Sequence, residues 1–202
     1  MKYIITESQY RLLNEETEEI LEFPFKMFNN DWNFLQEYLE MIGNPPYKII
    51  GNLDFSKSDI KTLGNLVGVK GYLTLRKNKT IESLGNLKSV GGDLYLSDTE
   101  IESLGNLVSV GGSLYMKNSY VLTLNNLKSV GENLDCRNYV LKSLGKLESV
   151  GGFLYVEDTD IDSLGNLQYV EEDFYLGATP LSRKTTEEEI RAQVTVGGLI
   201  AL

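Results

Sequence analysis

The chain contains no histidine and only one cysteine, Cys136. Without histidine, neither a Ser–His nor a Cys–His nucleophile pair can be assembled, which removes the commonest routes to covalent catalysis. A lone cysteine closes no intramolecular disulfide and fits a reducing compartment. Cys136 itself reads as a small buried apolar side chain. Long hydrophobic runs are also missing. The longest apolar stretches are far too short to span a bilayer, and no apolar run follows a basic start at the N-terminus, so no secretory signal is expected. Positive charge is scarce: 19 Lys and Arg stand against 29 Asp and Glu, a net charge of −10. That balance argues against nucleic acid as a partner and against an anionic membrane surface.

Repetition occupies most of the chain instead. The stretch from Ile81 to Glu100, IESLGNLKSVGGDLYLSDTE, recurs from Ile101 as IESLGNLVSVGGSLYMKNSY, and further copies start at Val121, Leu141 and Ile161. The copy from Ile60 is one residue longer, with an extra residue near Lys77. Counting from the first residue of each unit, apolar side chains fall at positions 1, 4, 7, 10, 14 and 16, as in Ile81, Leu84, Leu87, Val90, Leu94 and Leu96. A fixed period of this length is the mark of a solenoid. Positions 14 and 16 alternate across an outward residue, which is strand periodicity. The spacing of three over positions 1 to 10 has no partners four residues apart and is interrupted by Gly, Asn and Ser, so it predicts short turns or 3₁₀ pieces rather than an α-helix. Each coil is then a short strand, a bend and a compact return. One coil buries too little to offset the cost of ordering its backbone, so stability must come from stacking.

The polar positions repeat as well. Position 3 is a hydroxyl in Thr62, Ser83, Ser103, Thr123, Ser143 and Ser163. Position 6 is Asn65, Asn86, Asn106, Asn126 and Asn166, with Lys146 the exception. Position 18 is assigned to Asn78, Asp98, Asn118, Asn138 and Asp158. Such residues satisfy nearby backbone groups in turns, and stacking predicts ladders of them along the solenoid. The pairs Gly91-Gly92, Gly111-Gly112 and Gly151-Gly152 read as tight entries into the strand, where backbone angles that other residues avoid are expected.

The run from Leu94 to Leu107, of the form LxLxxTxIxxLxxL, resembles a leucine-rich repeat, and the VGGxLYL element is similar to the receptor L-domain branch of that class. The resemblance covers about two thirds of the chain and implies a β-rich solenoid of ~20-residue coils with one parallel β-sheet. It carries no catalytic motif, and the single cysteine departs from the disulfide-rich pattern of that branch. The opening MKYIITESQYRLL resembles the start of many tailed-phage proteins over about a dozen residues, which implies a phage-encoded chain acting in the host cytoplasm or in the virion.

Short N-terminal helices and one C-terminal helix are expected around the solenoid. Thr6-Glu7-Ser8-Gln9 reads as a capping box, and Glu15 to Glu22 is acidic and expected to be exposed. Asp31 to Ile42 has helical spacing of Trp32, Leu35, Tyr38, Leu39 and Ile42. Its apolar face would cover the first coil; Trp32 fits that packing role or, alternatively, ligand stacking. Gly43-Asn44-Pro45-Pro46 ends it, and Ile49 to Phe55 is a degenerate first strand. Thr186 to Glu189 is a second capping box opening a helix to about Val194, and Val196 to Leu202 repeats the strand motif. The domain reading is therefore a helical cap over 1–48, the solenoid over 49–182, and a helix plus terminal strand over 183–202. The last strand leaves unpaired backbone groups. Either the inserted helix folds over that edge, or a partner or second copy pairs with it, giving a homodimer through the C-terminal strand.

Position 15 lies between two inward residues and must point outward. Its occupants are Thr74, Tyr95, Tyr115, Asp135, Tyr155 and Tyr175, flanked by Tyr72, Arg76, Lys117, Arg137 and Phe153. This aromatic stripe is the candidate binding surface, because tyrosine buries much area with little entropy loss. Cross-strand stabilisation of the sheet explains the same residues equally well. Charge is uneven along the axis. Lys57, Lys61, Lys70, Arg76, Lys77 and Lys79 lie near the first coil, while Glu157, Asp158, Asp160, Asp162, Glu171, Glu172 and Asp173 lie near the last; solvated surface or end-to-end docking accounts for this. Asp158 to Asp162 has the alternating acids of a calcium loop without its glycine or closing glutamate, so no metal site is expected. No phosphate loop and no apolar cleft with paired carboxylates is present, so no cofactor and no catalytic residues are expected. The chain reads as a non-enzymatic leucine-rich-repeat scaffold that binds another protein. A virion structural or host-recognition component is the alternative, and a carbohydrate-binding solenoid is the third reading.

Overall fold

The computed structural model describes residues 20–202. The Thr6–Gln9 capping box, the phage-like opening and most of the acidic Glu15–Glu22 stretch lie outside them. The solenoid of ~20-residue coils with parallel pairing is present. Its strands form two sheets, however, where one was expected. The familiar Leu–Tyr pairs (Leu73–Thr74, Leu94–Tyr95, Leu114–Tyr115, Leu134–Asp135, Leu154–Tyr155 and Phe174–Tyr175) stack between Leu53–Asp54 and Ile200–Ala201 as an eight-stranded sheet. A second sheet of nine strands is built from the Ser–Val pairs just before the glycines: Ser89–Val90, Ser109–Val110, Ser129–Val130 and Ser149–Val150, continued at both ends. An extended pair of two residues is too short to show alternation, so this second sheet was hidden inside the spacing of three.

All pairs are parallel and, apart from a one-residue shift where Tyr47–Ile50 meets Leu66–Val69, in register coil on coil, so that Leu94 faces Leu114 and Tyr95 faces Tyr115. The core is the stack of rows at positions 1, 4, 7, 10, 14 and 16; Ile81, Leu84, Leu87, Leu94 and Leu96 are fully buried, and their counterparts from Ile101 to Leu147 repeat that burial. Cys136 sits in this core, and burial, aided by the nearby Asp135 charge, pushes its thiol well above the ordinary range.

Two expectations about the turns are corrected. The left-handed backbone falls at position 5 and in the turn after the leucine–tyrosine strand, not at the strand-entry glycines: Gly64, Gly85, Gly105, Gly145 and Gly165 have φ of +57° to +60°, with Asn125 at +51° in coil four. There the preceding hydroxyl accepts from the amide two residues on, as in Gly85 N to Ser83 Oγ at 3.0 Å and Gly145 N to Ser143 Oγ at 3.0 Å. The strand-entry glycines are needed for close approach instead: a Cβ at Gly91, Gly111, Gly131 or Gly151 would overlap the carbonyl oxygen of the coil beneath.

Asn78 and Asn138 also do not belong to the row of Asp98, Asn118 and Asp158. Those three take left-handed φ near +60° and are at least partly exposed. Asn78 and Asn138 are buried and occupy the next position, the slot held elsewhere by Thr99, Ser119, Thr159 and Thr179. Thr99, Thr159 and Thr179 donate back to the carbonyls of Leu96, Val156 and Leu176. Asn138 instead reaches down to Ser119 Oγ and to the Val121 carbonyl. The position 6 ladder forms in two runs: Asn86 donates to Asn65 at 3.1 Å and Asn106 to Asn86 at 3.4 Å, and Lys146, the exception, donates to Asn126 at 3.0 Å.

The N-terminal helix runs from Trp32 to Met41, with Asp31 accepting from Asn33 and Phe34 as its cap. Gly43 and Asn44, both at positive φ, end it. Leu35 and Leu39 are buried, and Trp32 packs on Phe55 of the first turn with centroids 4.9 Å apart, so Trp32 has a packing role. The preceding strand Leu21–Pro24 extends the serine–valine sheet, and Glu22 within it pairs with Lys70 at 2.6 Å. At the other end the capping box at Thr186 opens a shorter helix than expected, Glu187–Arg191. Arg191 donates to the carbonyls of Val196 and Gly198, both at 2.8 Å. One coil earlier the equivalent carbonyls, of Val170 and Glu172, accept from Gly197 and Gly198. The guanidinium thus stands where two amides of a further coil would stand, and the inserted helix does fold over that side of the edge.

Candidate functional site

The outer side of the leucine–tyrosine sheet carries three side-by-side rows, at positions 13, 15 and 17. The central row follows the pairing register: Asp54, Thr74, Tyr95, Tyr115, Asp135, Tyr155, Tyr175 and Ala201. The sequence-expected stripe is therefore brought onto one face. Its rings pack in two pairs. Tyr95 and Tyr115 stack at 5.1 Å and 10°, and Tyr155 and Tyr175 at 4.9 Å and 9°. Each ring of a pair buries one face against its neighbour, so the rings stand edge-on to solvent with half-buried side chains.

Asp135 divides the two pairs and is only 8% exposed. Arg137 clamps it through two hydrogen bonds, Nε to Oδ1 at 2.9 Å and Nη2 to Oδ2 at 2.6 Å, and its guanidinium lies 5.2 Å from the Tyr155 ring centre. The hydrogen bonding to Asp135 holds Arg137 still further above its usual range, so it is a permanent cation. A charge pair stacked on an aromatic ring in this way is geometrically fixed, unlike an ordinary surface ion pair.

The flanking position 13 row forms a second ladder that the sequence did not reveal. Asp93 accepts from the Ser113 amide at 2.8 Å, Asn133 from Phe153 at 3.0 Å, and Asp173 from Leu199 at 2.8 Å. The second oxygens of Asp93 and Asp173 receive the hydroxyls of Tyr95 and Tyr175 at 2.7 Å and 2.8 Å. The Asp93 hydrogen bond, helped by desolvation, pushes Tyr95 up to about 12, so its phenol stays protonated at neutral pH. The signal for this ladder was a short acceptor, Asp, Ser or Asn, between the glycines and the strand. Of the remaining expected residues, Tyr72 follows Asn52 in the position 13 row and is 36% exposed, its amide donating to Asn52 Oδ1 at 3.1 Å, while Arg76 and Lys117 are exposed in the position 17 row beside Arg137. Glu157 follows Arg137 in that row, and its Oε2 is buried without a hydrogen-bond partner.

The serine–valine sheet presents a different outer side. Its rows of serine and glycine form a shallow groove of about 740 Å³, bounded by Lys48 and Lys70 at one end and Tyr169 at the other. Among the described residues, no three Cys, Asp or Glu side chains converge as a cation site would require, and no helix is long and apolar enough to cross a membrane. Comparison with protein-family profiles, with curated proteins and with solved structures returned no match.

Proposed function

We propose that the protein is a non-enzymatic binding scaffold, leucine-rich-repeat-like in design, that holds another protein on the outer side of its leucine–tyrosine sheet. The observation that carries this reading is the central row: two stacked tyrosine pairs separated by the Asp135–Arg137 clamp, on a rigid, register-locked surface. Rigid aromatics with fixed charges between them lose little entropy on binding. The rings present edges and hydroxyls rather than open faces, which favours hydrogen-bonded protein contact over the face-on stacking that sugars use. In this reading the chain is phage-encoded and acts on a partner inside the host cell.

Affinity purification from the native host, with the wild type and with Tyr95, Tyr115, Tyr155 and Tyr175 all replaced by Ser, tests it. A partner retained by the wild type and lost by the variant supports the reading; a partner retained equally by both overturns it. Mass spectrometry of purified particles separates the alternative, since stoichiometric presence in the virion would assign the chain a structural or host-recognition role.

A further inference from the structure

The turns that follow the leucine–tyrosine sheet form a row of their own beside the tyrosine face, one turn per coil. Read along the solenoid, five successive turns are Asn78 to Glu82, Asp98 to Glu102, Asn118 to Leu122, Asn138 to Lys142 and Asp158 to Asp162. Two of them are acidic: Asp98, Glu100 and Glu102 in one, and Asp158, Asp160 and Asp162 in the other. The two between them carry no acid and expose large apolar side chains beside Asn118 and Lys142. Tyr120 is 52% exposed, Leu122 49% and Tyr139 75%.

The exposure of Tyr139 follows from the shifted slot. In coils two, three and five a left-handed residue precedes the buried hydroxyl, and one outward residue follows it. In coil four Asn138 takes the buried slot directly after Arg137 and binds Ser119 Oγ and the Val121 carbonyl. Two residues, Tyr139 and Val140, are then left outside before Leu141 returns to the core. Coil one, one residue longer, keeps a left-handed residue, Lys77, before its buried Asn78, and after that Asn it fills the same two outward places with Lys79 and Thr80. The turn geometry therefore demands nothing apolar at Tyr139, and a large exposed aromatic set there is a departure from local rules of the kind that marks function.

We infer that this row of turns is a recognition strip for an extended protein segment with an apolar centre bracketed by two basic residues, engaging Tyr120, Leu122 and Tyr139 between the acidic turns. The inference rests on the protein-binding reading and gives it a substrate class. Charge complementarity sets the arrangement. Lys117 and Lys142 border the apolar centre and repel a cation placed there, while the acidic turns on both sides attract one. Lys79, 3.9 Å from Glu100, neutralises part of the first acidic turn, so Asp158, Asp160 and Asp162 form the stronger anchor. The two acidic turns are three coil steps apart, about 14 Å at ~4.8 Å per step. An extended segment rises about 3.3 Å per residue, so its two basic residues should stand about four residues apart. A second copy of this chain, related by a two-fold axis through the apolar centre, would set acidic turn against acidic turn and is disfavoured.

The test uses a set of labelled twelve-residue peptides with a Phe-Leu centre and two lysines at separations of two to eight residues, together with the same peptides carrying glutamate in place of lysine. Binding is read by fluorescence anisotropy against the wild type, a Tyr120→Ser/Tyr139→Ser variant, an Asp160→Asn/Asp162→Asn variant, and the four-tyrosine sheet variant. The expected result is a maximum at a separation of about four, a loss of at least about tenfold in each turn variant, weakening with added salt, and no binding of the glutamate peptides. Equal binding at all separations, preference for glutamate, or no peptide binding at all would overturn the inference. So would a dimer that dissociates on Tyr139→Ser. Binding lost in the sheet variant and unchanged in the turn variants would overturn it while leaving the scaffold reading standing. Both turn positions are exposed, so circular dichroism of the variants should match the wild type.

Discussion

The two sheets share one core and one repeat, yet their outer sides could hardly differ more. On the serine–valine side the rows are hydroxymethyl groups and hydrogens; on the leucine–tyrosine side they are stacked rings, carboxylates and a clamped guanidinium. The difference has a physical cause in the backbone. At the strand-entry position a Cβ would overlap the carbonyl of the coil beneath, so most coils carry glycine there and the surface stays shallow. On the other sheet, in-register stacking at about 4.8 Å per step falls within the roughly 4.5–7 Å centroid separation at which offset aromatic rings attract, and large side chains support one another. A surface stripped by backbone packing serves the stack; a surface that tolerates large groups is free to differ from coil to coil, as Asp135 and Arg137 do.

The comparison breaks down first on the inner sides, which are common to both sheets. Leu114→Ala removes a fully buried side chain and should cost about 2–5 kcal/mol in chemical denaturation, with hydrogen exchange rising on both sheets together. The next effect should be confined to one side. Gly111→Ala forces a methyl group against the Gly91 carbonyl and should cost about 1–3 kcal/mol, with exchange at the Val110 to Gly112 amides accelerated most. A smaller loss is expected for Tyr115→Ser, about 0.5–1.5 kcal/mol from the broken ring stack. A double-mutant cycle with Tyr95→Ser isolates that coupling; a value near zero would mean that the stacked geometry contributes nothing beyond burial.

The smallest effect is electrostatic and again belongs to the tyrosine side. The Leu199 amide, and then the Tyr175 hydroxyl, hold the Asp173 carboxyl below its usual range. A group depressed on folding contributes stability above its unfolded value, about 3.9, and loses it as pH falls through the lower folded value. Acidification below about pH 4 should therefore loosen the contact between Asp173 and Leu199, seen as faster exchange at the Leu199 amide, while Asp173→Asn should abolish that pH dependence.

Much of this was legible in advance, for a specific reason. Asn86, Asn106 and Lys146 could be placed in one row because each coil repeats its neighbour, and a translation along one axis turns sequence period into spatial alignment. Tyr95 and Tyr115 could be set on one face by the same logic. The Asn138 turn escaped because a buried amide and a buried threonine hydroxyl satisfy the same slot from adjacent sequence positions, and counting residues cannot tell which of the two enters. Asp93 escaped because its role depends on an amide one coil away.

The order of residues was therefore sufficient for the period and the parallel stacking, which follow from the repetition of one unit, and for the apolar rows facing inward and the aromatic row facing out, which follow from side-chain alternation within it. Only the folded molecule decided that there are two sheets, that the strand-entry glycines answer to a neighbouring carbonyl, that the tyrosines close into pairs around a clamped aspartate, and that Tyr139 is left in solvent. Each of those depends on how near one coil comes to the next, and that distance is a property of the stack, which no single repeat contains.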